Sequence, residues 1–138
     1  PTEAEWEWAA RGGLSGNPYP NGLTIGKARL AGSKTINPGP APTSQPNGYG
    51  LYDLLGNVWE WTNTWYAPAS YLLAAGAGTL AGPSIGPSTG AEKVVRGGSW
   101  ATRRELIRLH SRGAQEPSWT TPYLGFRVVI APRVSHDA

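Results

Sequence analysis

Turn-forming residues break up this chain along most of its length. Its 138 residues include 19 Gly and 13 Pro, close to the combined level of roughly 25–30% that marks low-complexity chains. Gly raises the entropy lost on ordering and Pro removes a backbone donor, so few windows can hold a regular helix or a long strand. The same turns are interleaved with 7 Trp and 6 Tyr against a single Phe. Each such ring buries about 150–250 Å². A few large side chains therefore hold ordered turns together, and the composition predicts one loop-rich domain over residues 1–138 with little helix.

Cysteine is absent, which excludes disulfides, thiolate zinc sites and Cys nucleophiles. No apolar run is long enough to span a bilayer, and no signal peptide is visible. The net charge of +3 is unevenly spread: residues 1–93 carry five basic and six acidic groups, residues 94–138 seven Arg and three acids. Arg103, Arg104, Arg108, Arg112 and His110 crowd one segment. Such a cluster reads either as a phosphate or nucleic-acid footprint or as arginines tied to loop carbonyls and carboxylates. The second reading is favoured, since no lysine run or stacking motif accompanies the cluster. Nucleic acid is not the expected partner.

Thr2-Glu3-Ala4-Glu5 has the pattern of a capping box and opens a helix over Glu3–Arg11 that Gly12-Gly13 stops. Trp6, Ala9 and Ala10 share a face, and Trp8 lies off it, which predicts burial on more than one side. Residues 12–50 are mostly turns. Leu51–Leu55 reads as one helical turn. Val58–Trp65, Val94–Trp100 with a Gly-Gly bend, and Gly125–Ala131 read as strands. The small-residue stretch 67–91 predicts a mobile surface loop. Its GAGTLAG has the wrong spacing for a phosphate loop. Ser99 matches no triad spacing, and His110 with His136 is too few for a histidine metal site.

GNVWEW places Glu60 between Trp59 and Trp61 after a Gly56-Asn57 turn. A carboxylate among large rings needs a partner. An ion, backbone N–H groups or an arginine would serve.

Five stretches, PTEAEWEWAARGG, NPYPNG, PNGYGLYDLLGNVWEWT, VVRGGSW and GFRVV, follow one another in the order of the formylglycine-generating enzyme, or sulfatase-modifying factor, family. The chain resembles that family over nearly its whole length. The resemblance implies an α+β, C-type-lectin-like fold with few helices and small antiparallel sheets. It also implies a strand and helix ahead of PTEAEWEWA, so the sequence reads as the C-terminal portion of a domain with an upstream partner region. In the family the YDLLGNVWEW segment wraps a calcium ion. The matching ligands are the side chains of Asp53 and Glu60 and the carbonyls of Gly56 and Val58, with Trp59 and Trp61 as walls. Calcium takes such hard oxygen donors. Arg29 stands where a second site would need Asn, which argues for one ion.

The catalytic members hold copper through two cysteines. Here Thr102 stands at the first position, and the segment 104–107 holds no thiol for the second. Copper(I) needs soft thiolates, so copper and formylglycine formation are not expected. The sequence instead resembles the non-catalytic branch, which includes the variable proteins of diversity-generating retroelements. That resemblance implies protein or peptide binding between GGSW and GFR, through Thr102, Arg104, His110, Trp119 and Tyr123. Arg and aromatics dominate binding hot spots. The alternative is an enzyme of the same family that uses residues or domains outside this chain. Arg108, Arg112 and Arg127 are expected to tie loops to the sheet.

Overall fold

The computed structural model describes residues 1–26, 28–32, 38–40, 45–67 and 86–130. One helix, α1 (Glu3–Arg11), is followed by strands β1 (Trp59–Trp65), β2 (Lys93–Arg96), β3 (Arg112–Gln115) and β4 (Leu124–Gly125), with a 3₁₀ turn at Arg104–Leu106. The helix begins as its sequence dictates. Thr2 Oγ1 accepts from the Glu5 N–H at 3.2 Å, and Glu5 Oε2 accepts from the Thr2 N–H at 3.0 Å, a reciprocal cap worth about 1 kcal/mol.

The strands form a single sheet in the order β3-β2-β1-β4. β1 and β3 each run antiparallel to β2, whereas β4 is parallel to β1, with Trp59 opposite Leu124 and Glu60 opposite Gly125. Among the described residues the sheet is therefore mixed, where only antiparallel pairing was expected. GFRVV also departs from expectation. Strand pairing stops at Gly125, and Phe126, Val128, Val129 and Ile130 stand exposed. Leu51–Leu55 forms no helix; instead Leu54 and Leu55 enter the core without regular structure. The small-residue stretch lies outside the described residues over positions 68–85.

The core gathers Trp6, Ala10, Ala28, Leu30, Leu54, Leu55, Ile107 and Leu109. β1 alternates strictly, as a strand must, but its buried side carries Glu60, Thr62 and Thr64, while Trp59, Trp61 and Trp65 are half-buried on the other. Helix α1 makes that polar face tolerable. Thr64 Oγ1 accepts from the Glu3 N–H at 2.9 Å, and the Trp6 indole donates to Glu60 at 2.7 Å.

The second buried side of α1 is charged rather than aromatic. Fully buried Arg96 reaches Glu3 at 3.1 Å and Glu7 at 2.9 Å, and Arg112 holds Glu3 through two hydrogen bonds of 2.6 and 2.9 Å. Trp8, for which the sequence predicts cover on a second side of the helix, is exposed and stacks on Tyr49 at 5.1 Å. Asn47 locks the other end of the helix. Its amide donates to the carbonyls of Ala9 and Ala10, and its Oδ1 accepts from Tyr49 and Leu51.

Candidate functional site

The segment from Asp53 to Glu60 is a tightly curled turn. Asp53 (φ 55°), Gly56 (φ 79°) and Asn57 (φ 67°) all adopt the left-handed conformation. Asp and Asn tolerate it better than other side chains do. Gly56 is required twice over, because a Cβ there would also collide with the Arg29 carbonyl. Neighbouring backbone fixes the turn: Gly56 N–H donates to Gly97 O at 2.8 Å, Asn57 N–H to Arg29 O at 2.8 Å, and Trp59 N–H to Tyr123 O at 2.7 Å. The Asn57 side chain grips Gly39 through both its N–H and its carbonyl.

Glu60 is 5% exposed, and its charge is met by protein groups. Arg127 donates Nε to Oε2 and Nη2 to Oε1, both at 2.7 Å, and the Trp6 indole shares Oε2. The same Nη2 reaches the carbonyls of Tyr52 and Asp53 at 3.0 and 3.4 Å. Burial opposes the charged guanidinium. The hydrogen bond and charge of Glu60, with the charge of Asp53, outweigh it, and the Arg127 pKa is raised. Of the partners open from sequence, arginine is the one present in the structure, joined by an indole the sequence reading did not foresee.

Asp53, Val58 and Glu60, three of the four residues expected to bind calcium, line one cavity of about 420 Å³, together with Phe126 and Arg127. Trp59 and Trp61 do not wall it, because strand alternation turns them away from Glu60. Three N–H groups occupy three of the four lone-pair directions of Glu60, which leaves one on Oε1. Among the described residues no backbone hydrogen bond ends on the carbonyl of Gly56 or Val58. Nor do three His, Asp or Glu side chains cluster anywhere among them. A cation here therefore needs the two carbonyls as well as the two carboxylates. That set is of the hard-oxygen type calcium takes, and its four oxygens would need waters to reach the roughly six to eight that calcium requires.

The residues expected to bind a ligand lie in the part of the chain that follows the Gly97-Gly98 bend. Thr102 is folded back into its own turn. Its Oγ1 accepts from the Ser99 N–H at 3.0 Å, and its carbonyl accepts from Ala31 at 2.9 Å. Arg104 is exposed, with one long contact of 3.5 Å to the Gly26 carbonyl. Tyr123 stacks on Trp100 at 5.2 Å, and the Trp100 indole donates to Pro122 O at 3.1 Å. That stack brings together the two ends of the GGSW-to-GFR stretch. Trp100 was not singled out from sequence, although its place in GGSW beside the first expected binding residues was a usable signal. Trp119 is 55% exposed on the loop between β3 and β4. His110 is exposed too, and among the described residues no contact joins it to the others. Arg112 and Arg127 tie helix and loops to the sheet, while Arg108 bonds the Ile107 carbonyl and covers the Tyr19 ring.

Among the described residues no helix is long and apolar enough to cross a membrane. The sequence is 36% identical to the formylglycine-generating enzyme of Streptomyces coelicolor over 92% of this chain and 45% of that protein. It is 39% identical to the serine/threonine-protein kinase pkn1 of Chlamydia pneumoniae over 92% of this chain and 20% of that one. The chain thus spans less than half the length of these relatives. Among solved structures, Treponema denticola variable protein 1 superimposes with a TM-score of 0.74 at 32% identity, over 91% of this chain and 45% of that one. The profile of the sulfatase-modifying factor enzyme 1-like domain matches residues 1–132. The chain belongs to that family.

Proposed function

We propose that the chain is a non-catalytic member of its family, a domain that binds a protein or peptide through the surface carrying Thr102, Arg104, Trp119 and Tyr123 and is stabilised by one calcium ion at Asp53, Gly56, Val58 and Glu60. The observation that carries the non-catalytic reading is donor chemistry: the chain has no cysteine, and a threonine hydroxyl is no ligand for copper(I). Family membership does not by itself assign a reaction, since similar domains occur in proteins named as an enzyme, a kinase and a variable protein. The binding reading is supported by exposed Trp119 and Arg104, each four residues along the chain from a member of the stacked Trp100–Tyr123 pair.

Bound calcium would add positive charge between Asp53 and Glu60 and tie the 53–60 turn to β1. Two experiments test the reading. The first incubates the domain with copper and a Cys-x-Pro-x-Arg peptide and reads the peptide by mass. An unchanged peptide is expected, and conversion to the aldehyde would overturn the non-catalytic assignment. The second compares melting in calcium and in chelator. A ligand bound only by the folded state raises the melting temperature, so equal melting curves would remove the metal from the proposal.

A further inference from the structure

Six described arginines follow β1 in the sequence, and the structure divides them sharply. Arg96 and Arg112 pair with Glu3, and Arg127 pairs with Glu60. Arg108 is held by the Ile107 carbonyl and the Tyr19 ring. Arg103 and Arg104 are different. Both are exposed, and neither meets a carboxylate among the described residues; Arg104 has only its long contact to the Gly26 carbonyl. Glu105, in the same turn, forms no ion pair with either one among the described residues. Two adjacent cations therefore face solvent within four residues of the Trp100–Tyr123 stack, and Leu106 beside them is 59% exposed.

From this we infer that the partner of this surface is an acidic polypeptide segment, with carboxylates that pair with Arg103 and Arg104 and an aromatic or apolar side chain that packs beside Trp119 and Tyr123. The inference rests on the proposed binding role and names its partner's chemistry. Charge complementarity carries it: a guanidinium offers a carboxylate two parallel donors, and among the described arginines after β1 Arg103 and Arg104 are exposed and meet no carboxylate among the described residues. Nucleic acid fits less well. A phosphate backbone calls for a longer row of cations, and base stacking calls for open ring faces. Here Arg103 and Arg104 are the exposed arginines of this segment among the described residues, and Trp100 and Tyr123 already cover one another.

The test is a selection of short random displayed peptides on the immobilised domain, run in parallel on the native chain, an Arg103→Glu/Arg104→Glu variant and a Trp119→Ala/Tyr123→Ala variant, each checked for native melting. The expected result is enrichment of Asp- and Glu-containing peptides with an aromatic residue on the native chain. Their affinity should fall roughly tenfold on charge reversal and fall again as salt rises. Enrichment of neutral or basic peptides that need Trp119 and Tyr123 but ignore the charge reversal would sink the acidic partner and leave the binding role standing. Peptides that bind all three proteins equally would sink both. Tighter binding of random single-stranded DNA than of any selected peptide, abolished by the charge reversal, would replace the polypeptide with nucleic acid.

Discussion

Replacing Arg96 with Met tests how α1 is fastened to the sheet. Arg96 is fully buried. It donates Nε to Ser111 O at 3.0 Å, Nη1 to Glu3 at 3.1 Å, and Nη2 both to Glu7 at 2.9 Å and to Leu109 O. Methionine fills much of the volume and makes none of these bonds. Removing one partner of a buried ion pair costs about 3–5 kcal/mol. Glu3 keeps both hydrogen bonds to Arg112, and Glu7 keeps Arg11 at 2.6 Å, so the lower part of that range applies. Each carbonyl left without a donor adds about 1 kcal/mol or more. The sum is roughly 5 kcal/mol, a fall of roughly 15–20 °C in melting temperature for a domain of this size. Thermal unfolding followed by circular dichroism measures it, with exposed Arg104→Met as a control expected to melt like the native chain. A loss under about 1 kcal/mol for Arg96→Met would refute the buried network as the fastening.

Gly97→Ala should destabilise by roughly 3 kcal/mol in urea unfolding, because the residue is left-handed (φ 96°) and a Cβ would lie 2.6 Å from the Leu54 carbonyl; a neutral effect would refute the packing described for that bend. Asn47→Ala should cost about 2–4 kcal/mol and speed amide exchange at the end of α1, since four hydrogen bonds converge on that side chain. Arg127→Gln in chelator should lower stability by about 2–3 kcal/mol by leaving Glu60 with Trp6 alone, and added calcium should recover part of the loss if the ion binds at Glu60. Arg127 is charged throughout the mildly alkaline range at its ordinary value, and its upward shift moves the loss of that charge further into strong alkali. Melting of the native chain should therefore show no step from this pair between neutral and mildly alkaline pH, a step that Arg127→Gln would abolish if one were found.

Local signals in the sequence were the most readable. Thr2 and Glu5 announce the helix start, Gly12 its end, and both stand as read. The Gly56-Asn57 turn and β1 are equally visible, because left-handed turns and alternation are written within a few residues. Contacts between distant segments were not. Arg96 meets Glu3 across 93 positions and Arg112 meets Glu3 across 109, and no periodicity links such pairs. Alternation in WEWTNTW identifies a strand without revealing which face is buried. Hydrophobicity favours the tryptophans, whereas the structure buries Glu60, Thr62 and Thr64 because α1 supplies partners for Glu60 and Thr64, Arg127 pairs with Glu60, and Thr62 donates to the Val94 carbonyl of β2. GFRVV carries strong β-propensity, yet pairing stops at Gly125. Propensity without a neighbouring strand does not make a sheet. At the candidate site, the sequence does not show that Arg127 reaches Glu60 or that Trp100 stacks on Tyr123, because both pairs join segments far apart in the chain.

An amide-exchange footprint of the domain with its tightest selected acidic peptide tests most directly whether the surface after the Gly97-Gly98 bend does the binding. Slowed exchange at residues 100–106 and 119–124, with little change elsewhere, is the expected result. Protection confined to the exposed Trp8–Tyr49 pair or to residues 126–130, with none at Trp100 or Arg104, would contradict it and move the function to another face of the molecule.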